Sequence, residues 1–368
     1  NVRSLVTQLR SAGLHGGKPI SHQLLEALRL RLGARRIGLS EYFEYGIWHA
    51  AVTPPMRNEF ICWRDSSALD RRLNTNASRV LANDKLLNYL VLQSLGYPIP
   101  EPVATYSTSG RCIGGERRLR TIEDVEAFLA EDAYPFYVKP ISAGYGRDVL
   151  GVAACQGDRL LLLDGSTISQ QDFLAPFHRL PYGGMLFQRP LRAHAAITEL
   201  TGTEAISCIR FICLVTPAGP VIHTAFWKIT TGRNMLDNFS HGDFGNCLGA
   251  IDLDAGVISR VIARTGPGGA VECHPTTGKA VVGFVLPDWT RAKDLVLSAS
   301  AHFPGLRLQN WDVALCPDGP VLVELNTESE LGVPQAISGR GLMDQRLRQL
   351  VSDIAGGDER RRLAVRSA

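Results

Sequence analysis

The chain has 368 residues, of which 45% are apolar and 20% are charged, and its formal net charge is +3. This length supports a substantial core divided between two or three lobes. So mild a charge gives no argument for nucleic-acid binding, and no nucleic-acid partner is expected. No stretch of about 18 apolar residues occurs, so no membrane-spanning helix is expected, and residues 1–10 lack the apolar core of a secretory signal.

The eight cysteines are scattered along the chain and form no CxxC pair. A disulfide framework is not expected at this length, and the spacing of zinc ligands is absent. We therefore expect reduced, mostly buried thiols and a cytoplasmic protein.

Residues 1–80 have mainly helical patterns. One helix is expected to begin near Ser21, and its apolar stripe consists of leucines at helical spacing: Leu24, Leu25, Leu28 and Leu32. A further helix is expected to begin at Asn83-Asp84 and to end at Gly96.

Strand patterns begin after residue 100. Strands are expected at 103–106, 136–138, 149–154, 185–188, 207–215, 221–229, 280–285, 308–315 and 321–325. Helices are expected from Thr121 to Leu129 and from Thr290 to Phe303. Because strands and helices do not alternate regularly, the pattern favours an α+β fold over a doubly wound sheet.

The most informative segment, residues 310–326, is predicted to be a hairpin of two apolar strands with a Pro-Asp-Gly-Pro turn. If the hairpin is symmetric about Asp318, then Asp312 lies opposite Glu324. Side chains alternate along a strand, so Asn326 shares the face of Glu324. Three oxygen donors then converge on one face.

Two carboxylates that face each other on a sheet repel, so a cation between them is expected. Hard oxygen ligands suit Mg²⁺, which completes its shell with water and phosphate oxygens. The alternative for this segment is an ordinary hairpin whose polar face meets water.

A second signal is Lys139, which ends an apolar strand and is followed by a turn containing Gly144 and Gly146. Glycines let backbone N–H groups approach an anion, and the lysine adds a point charge. No GKS or GKT follows, so this is not a Walker A loop, and a surface hairpin is the alternative. Lys85 lies in the first turn of its helix, where a cation opposes the helix dipole.

Taken in order, these segments resemble the ATP-grasp superfamily, and in finer detail its sugar-transfer-associated branch. The resemblance runs from about residue 40 to about residue 345. It is carried by the ordered motifs 83–85, 137–140 with the glycine turn, 209–211, 237–242, 274–278, 286–289, 310–313 and 324–326.

The resemblance implies an ATP-grasp fold, in which two α+β lobes hold ATP between them. The two lobes would be residues 81–190 and 191–350, after the helical segment 1–80 that the residue patterns predict and before a basic tail at 351–368. Many ATP-grasp ligases have a Rossmann-like lobe at the N-terminus instead, so substrate knowledge from those ligases does not transfer.

The resemblance also implies roles for individual residues. The phosphates of ATP would meet Lys85, Lys139 and the backbone of Ser142, Gly144 and Gly146; adenine would meet Gln188, Arg189 and Leu191; ribose would meet His194. One or two Mg²⁺ ions would be held by Asp312, Glu324 and Asn326. Arg210 would bind a phosphate or acyl-phosphate oxygen, and its alternative is a buried ion pair with one of the carboxylates.

The polar, glycine-rich segment 230–249 is expected to form a lid or substrate loop, with a plain surface excursion as the alternative. Its best substrate candidates are Arg233, Asn238 and His241. The N-terminal helical segment would either shape the substrate pocket or form a homodimer.

These features favour an ATP- and Mg²⁺-dependent ligase that joins a small-molecule carboxylate to an amine through an acyl-phosphate. In such a reaction Lys139 and Arg210 stabilise the developing phosphoryl charge. A kinase-like enzyme that phosphorylates a sugar or polyol hydroxyl is the second hypothesis, and a non-catalytic nucleotide-binding protein is the third.

Overall fold

The structure is a computed structural model that describes residues 2–131, 133–142, 149–179 and 183–354. Seven helices precede the first strand, which confirms the predicted helical character of residues 1–80. They are α1 (Val2–Leu14), α2 (Ile20–Leu32), α3 (Leu39–Glu44), α4 (Pro54–Arg57), α5 (Trp63–Leu73), α6 (Asn76–Asn83) and α7 (Lys85–Ser94).

The N-terminal helices have an aromatic core of their own. Tyr42, Phe43 and Phe60 are fully buried in it, and Trp48 donates its indole N–H to the carbonyl of Phe43 at 2.9 Å. Ala336 from the C-terminal part of the chain packs into the same core. The helical segment is therefore attached to the rest of the molecule by apolar contact.

The apolar stripe predicted for α2 is present, but it faces outward. Its leucines are exposed: Leu24, Leu25, Leu28 and Leu32. The buried face of α2 carries Gln23, Glu26 and Ala27 instead. Glu26 can be buried because Lys18, Arg57 and Tyr42 surround its carboxylate.

The first sheet has seven strands in the order β2-β1-β7-β3-β4-β5-β6. The strands are β1 (Pro102–Tyr106), β2 (Arg117–Leu119), β3 (Phe136–Pro140), β4 (Leu150–Gln156), β5 (Arg159–Leu162), β6 (Thr167–Ser169) and β7 (Met185–Gln188), with helices α8 (Ile122–Ala130) and α9 (Gln170–Leu174). Thr121 caps α8 as predicted, and Asp124 completes a capping box.

The second sheet also has seven strands, in the order β12-β11-β10-β9-β8-β13-β14. The strands are β8 (Ile209–Thr216), β9 (Gly219–Ile229), β10 (Cys247–Ile251), β11 (Ile258–Ile262), β12 (Ala270–Val271), β13 (Leu308–Cys316) and β14 (Gly319–Asn326). The helices of this half are α10 (Ala195–Thr201), α11 (Trp289–Ser300) and α12 (Gly332–Ser338), and residues 345–354 are helical.

Two sequence expectations for the second half were wrong. Residues 280–285 form no strand and make only isolated bridges at Ala280 and Val285, because the chain turns at Gly283 with φ of 89°. Conversely, β10 begins inside the segment expected to be a loop as far as residue 249. Its short apolar run of five residues is too brief for periodicity to identify.

Helix α7 lies between the two sheets. Leu86 and Tyr89 pack against Ile141 and Leu186 of the first sheet, while Leu92 is part of the core of the second. As predicted, Asp84 caps the helix, and its side chain accepts from the N–H of Leu87 at 3.0 Å. The first turn of α7 is therefore anchored where both sheets can contact it. No helix among the described residues is long and apolar enough to cross a membrane.

Candidate active site

The predicted pairing of Asp312 with Glu324 is confirmed. Strands β13 and β14 are antiparallel, with Asp312 opposite Glu324 and Asn310 opposite Asn326. Because alternate residues of a strand point to the same side, the side chains of Asp312, Glu324 and Asn326 share one face of the sheet. The structure therefore brings the three predicted metal ligands together.

A β-bulge produces this register. The hairpin closes at the pair Cys316–Gly319, and regular pairing from that turn would place Val323 opposite Asp312. The register shifts between Asp312 and Val313, so Val323 is the extra residue and Glu324 moves into place. The carbonyl of Val323 accepts a hydrogen bond of 2.8 Å from the hydroxyl of Tyr89, which ties the bulge to α7.

Arg210 on β8 lies opposite Asp312 on β13. Its Nε and one Nη contact the two carboxylate oxygens of Asp312 at 2.5 and 2.7 Å, which is a two-pronged ion pair. Lys228 Nζ lies 3.3 Å from the same carboxylate. Burial alone would raise the pKa of Asp312, but the positive charges of Arg210 and Lys228 have the larger effect. The pKa of this carboxyl therefore lies below its usual range.

Lys228 and Asp237 belong to this cluster, although the sequence analysis did not select them. Lys228 Nζ lies 2.8 Å from Asp237 Oδ1, and the other oxygen of Asp237 accepts from the N–H of Cys208 at 2.8 Å. Two signals were available. A lysine interrupts the apolar run of β9, and Asp237 begins the 237–242 motif, in which the neighbouring Asn238 was chosen instead.

Lys85 and Lys139 reach the same face from the other half of the molecule. Lys85 Nζ contacts Glu324 Oε1 at 3.0 Å. Burial alone would raise the pKa of Glu324, but the charges of Lys85 and Lys139 lower it by a larger amount. The pKa of Glu324 therefore lies below its usual value. Both lysines are buried.

Lys139 is positioned by an aromatic neighbour. Its Nζ donates to the hydroxyl of Tyr89 at 3.1 Å and lies 5.2 Å from the centre of that ring. The same hydroxyl lies 3.3 Å from Gln188 Oε1. Burial lowers the pKa of Lys139, and Glu324 partly offsets that effect. An anionic ligand next to Lys139 would raise its pKa.

The described part of this face has more cations than carboxylates. The cations are Lys85, Lys139, Arg210 and Lys228, and the carboxylates are Asp237, Asp312 and Glu324. Buried charges are costly unless they are paired. An excess of buried positive charge therefore favours binding of an anion.

The three residues expected to meet adenine, Gln188, Arg189 and Leu191, differ in their surroundings. Gln188 is buried at the end of β7. Arg189 donates a guanidinium N–H to the carbonyl of Ala133 at 2.7 Å, so its side chain points toward the segment that precedes β3. Leu191 packs against a buried apolar cluster of Cys208, Ala314 and Cys316. Ala314 and Cys316 follow Asp312 along the same face of β13.

His194 caps α10, because its Nδ1 accepts from the N–H of Ala196 at 3.2 Å. Ser142 is half-buried just after β3. Gly144 and Gly146 lie outside the described residues, as does the basic tail after residue 354.

The three substrate candidates lie in the segment between β9 and β10. Arg233 and His241 are exposed, and Asn238 is half-buried. His241 Nδ1 lies 3.9 Å from Glu44 Oε2, so this segment approaches α3 of the N-terminal helices. The substrate roles of these three residues stay predictions.

The donor set fits a hard divalent cation. Asp312 and Glu324 supply carboxylate oxygens, each with more than one lone pair. The side chain of Glu324 is 24% exposed and so remains accessible. Asn326 Nδ2 is buried with no hydrogen-bond partner among the described residues, and its Oδ1 is the atom that would contact the cation. Within the described chain, no group of three or more His, Cys, Asp or Glu side chains offers another metal site.

A family model described as sugar-transfer associated ATP-grasp matches residues 64–351. The ATP-grasp fold expected from the sequence is thereby confirmed, and the helical segment before residue 64 lies outside the match. A search of the curated proteins found no match.

Several solved structures are similar to the chain at low identity. A biotin carboxylase in complex with an ATP analogue from Campylobacter jejuni is 11% identical, with a TM-score of 0.46, over 77% of this chain and 48% of that one. A D-alanine–D-alanine ligase from Coxiella burnetii is 14% identical, with a TM-score of 0.42, over 82% of this chain and 69% of that one.

The biotin carboxylase domain of 2-oxoglutarate carboxylase from Hydrogenobacter thermophilus, in complex with MgADP and bicarbonate, is 13% identical. Its TM-score is 0.38, over 69% of this chain and 42% of that one. The chain thus spans less than half the length of the two carboxylase chains.

Proposed function

The chain belongs to the sugar-transfer associated ATP-grasp family, and we propose that it is an ATP- and Mg²⁺-dependent carboxylate–amine ligase. In this reaction the acid is activated as an acyl-phosphate, an amide is formed, and ADP and phosphate are released. The proposed lobes, residues 81–190 and 191–350, each contain one of the two sheets.

The observation that carries the proposal is the convergence of cations from both halves of the molecule on two carboxylates. Lys85 from α7 contacts Glu324, and Arg210 and Lys228 from the second sheet contact Asp312. The triphosphate of ATP is the anion that such a set of charges suits, because phosphoryl transfer depends mainly on charge neutralisation and positioning.

The apolar cluster beside these charges supports the orientation of the nucleotide. Leu191 is partly buried against Ala314 and Cys316 and offers an apolar surface for an adenine ring, while the charged groups lie further along the same face. Gln188 would contact the adenine edge with its amide or backbone. A nucleotide has the same division into an apolar base and a charged tail.

The chain's own groups account for the reaction through positioning. A carboxylate oxygen of the acid attacks the γ-phosphorus, and the bond to the bridging oxygen breaks as ADP leaves. Lys139 and Arg210 donate to the phosphoryl oxygens, since Asp312 engages only Nε and one Nη of Arg210. The amine then attacks the carbonyl carbon, and phosphate and a proton leave.

Asp312, Glu324 and Asn326 would hold Mg²⁺, which when bound supplies charge neutralisation to the phosphates. Arg233, Asn238 and His241 would contact the acid and the amine. The term "sugar-transfer" in the family description also fits transfer of the phosphoryl group to a sugar hydroxyl, because the same charges would serve that reaction.

The test is incubation of the chain with ATP, Mg²⁺ and a panel of amino acids, hydroxy acids and sugars, with detection of phosphate and of products by mass. Release of phosphate that requires both an acid and an amine, together with a condensed product, is the expected result. A phosphorylated hydroxyl without condensation would instead establish the kinase. Nucleotide binding without turnover in every combination would leave the non-catalytic alternative.

A further inference from the structure

The positive charge of this protein is concentrated at one end of the chain. Residues 1–40 contain seven basic side chains and a single acidic one, a formal charge of +6, whereas the whole chain has a charge of only +3. The remaining residues are therefore acidic as a group. The basic segment lies before residue 64, where the family match begins.

The outer face of α2 is apolar. The exposed fractions of its leucines are 44% for Leu24, 46% for Leu25, 55% for Leu28 and 78% for Leu32. A helix of 3.6 residues per turn places these four side chains within an arc of about 100°. Arg31 lies at one margin of the arc and Arg29 at the other, and both are exposed. We call this arc, with its two arginines, the leucine face.

The orientation of α2 is fixed by the polar contacts on its buried side. Glu26 accepts from Lys18, Arg57 and Tyr42 at 2.6–3.0 Å, and Gln23 donates to the carbonyl of Lys18 at 2.6 Å. Rotating the leucines inward would bury the arginines and break these bonds. The leucine face therefore points away from the protein's own core.

A cavity of about 570 Å³ opens beside the leucine face. It is lined by side chains that include Lys18, Arg29, Arg35 and Arg57. Glu26 is the one acidic group among the residues that line it, and it is already paired with Lys18 and Arg57. The cavity thus offers positive charge at the edge of an apolar surface.

We propose that the leucine face and the basic cavity form a docking surface for a lipid bilayer with anionic headgroups. A helix with leucines on one face and arginines at its margins lies in the plane of a bilayer, with the apolar side chains among the acyl chains. The arginines then meet anionic headgroups, and the cavity can accept a headgroup phosphate.

The positive charge around the leucine face favours an anionic bilayer over a second copy of the chain as the partner of this surface. Pairing two leucine faces would bring Arg29 and Arg31 of each copy together, next to segments that each have a formal charge of +6. Like charges at an interface oppose association. An anionic bilayer covers the leucines and neutralises the arginines at once. The proposal is independent of the ATP site, and it would place the enzyme at a membrane surface.

The experiment is co-sedimentation of the 368-residue chain with vesicles of phosphatidylcholine alone and of phosphatidylcholine mixed with phosphatidylglycerol. We expect binding to the mixed vesicles, with a preference of about fivefold for each arginine that reaches the surface, and a decrease in high salt. The double variant Leu28→Ser/Leu32→Ser should bind about tenfold more weakly.

The control is Leu90→Ser/Leu95→Ser, which makes the same change at two exposed leucines in and just after α7, 42% and 44% exposed. It should bind vesicles like the unchanged chain. Circular dichroism and the thermal midpoint show that the variants fold, which is expected because the substituted side chains are exposed. A second variant, Arg29→Gln/Arg31→Gln, should lose the preference for phosphatidylglycerol.

Three outcomes would overturn the proposal. The first is no sedimentation with either kind of vesicle. The second is equal binding by the leucine-face variant and its control. The third is a chain that elutes as a dimer, becomes a monomer in Leu28→Ser/Leu32→Ser and does not bind vesicles, which would assign the leucine face to self-association.

Discussion

Two clusters of buried charge in this protein use the same residue types in different ways. In the N-terminal helices, both oxygens of Glu26 are occupied, because Lys18 contacts each of them, Arg57 contacts one and Tyr42 donates to the other. The Glu26 side chain is only 8% exposed. This cluster is complete without a ligand.

The cluster on the second sheet is not complete in the same way. Glu324 is 24% exposed and pairs with Lys85 through one oxygen, and the cations of the cluster outnumber its carboxylates. The comparison teaches that buried ion pairs alone do not identify a site. Access from solvent to the carboxylate, 24% for Glu324 against 8% for Glu26, distinguishes the cluster whose carboxylates can receive a ligand from the one whose carboxylate holds helices together.

The sharpest test of this distinction is Glu324→Gln. The substitution keeps the size of the side chain but removes a proposed metal ligand and the charge partner of Lys85. We expect turnover to fall by about a thousandfold, or about 4 kcal/mol in activation free energy, while the protein remains folded. Release of ADP and the circular dichroism spectrum measure the two quantities.

Glu330→Gln is the control for that variant, since Glu330 is exposed in the same part of the chain. It should retain full activity. If turnover in Glu324→Gln were close to that of the control, Glu324 would not be a ligand of the metal.

The opposite pattern is expected for Glu26→Gln. Loss of the carboxylate leaves two half-buried cations, Lys18 and Arg57, without their partner, which typically costs about 3 kcal/mol of folding stability. The rate per folded molecule should not change, because Glu26 belongs to the closed cluster. Urea unfolding and turnover at low temperature measure the two effects.

Tyr42→Phe is a milder version of the same test, since it removes only the hydrogen bond to Glu26, worth about 1.5–3 kcal/mol. A loss of turnover in either variant, at full folding, would show that the two clusters are coupled.

A smaller effect on activity is expected for Lys228→Met. Lys228 contacts Asp312 and Asp237 at 3.3 and 2.8 Å, so its loss leaves Arg210 as the main partner of Asp312. We expect turnover to fall by about tenfold to a hundredfold, or about 2 kcal/mol. Arg210 remains to neutralise the site, which is why the loss is smaller than for Glu324→Gln. Activity equal to that of the unchanged chain would exclude Lys228 from the site.

The smallest effect concerns acid stability. The lysines around Glu324 hold its pKa below the ordinary 4.5 despite burial, so its stabilising contribution is complete above about pH 4.5 and is lost as the pH falls through the lower, folded-state value. The unchanged chain should therefore lose stability more steeply in acid than Glu324→Gln does. Urea unfolding at a series of pH values compares the two slopes, and parallel slopes would contradict the assigned pKa shift.

The sequence was sufficient for the parts of the site that depend on local pattern. Strand alternation placed Glu324 and Asn326 on one face, and the capping residue Asp84 located the helix that begins with Lys85. The order of the motifs predicted the family to which the chain belongs. These features are set by backbone geometry over a few residues, so they can be predicted before the tertiary structure is known.

Other features needed the folded chain. The pairing of Asp312 with Glu324 was predicted correctly from a turn centred on residue 318, yet the turn closes earlier and the bulge at Val323 restores the register. The partners of Asp312 also come from distant strands, because Arg210 and Lys228 reach it only when β8 lies beside β13 and β9 lies beside β8.

The leucines of α2 show the same division between what the local sequence pattern determines and what the folded chain determines. Their spacing alone determined that they form a stripe, since a helix repeats every 3.6 residues. Only the tertiary structure decided that the stripe faces outward, because Lys18, Arg57 and Tyr42 hold Glu26 on the buried side. Periodicity fixes which side chains lie together, whereas the partners available inside the fold decide which face of the helix is buried.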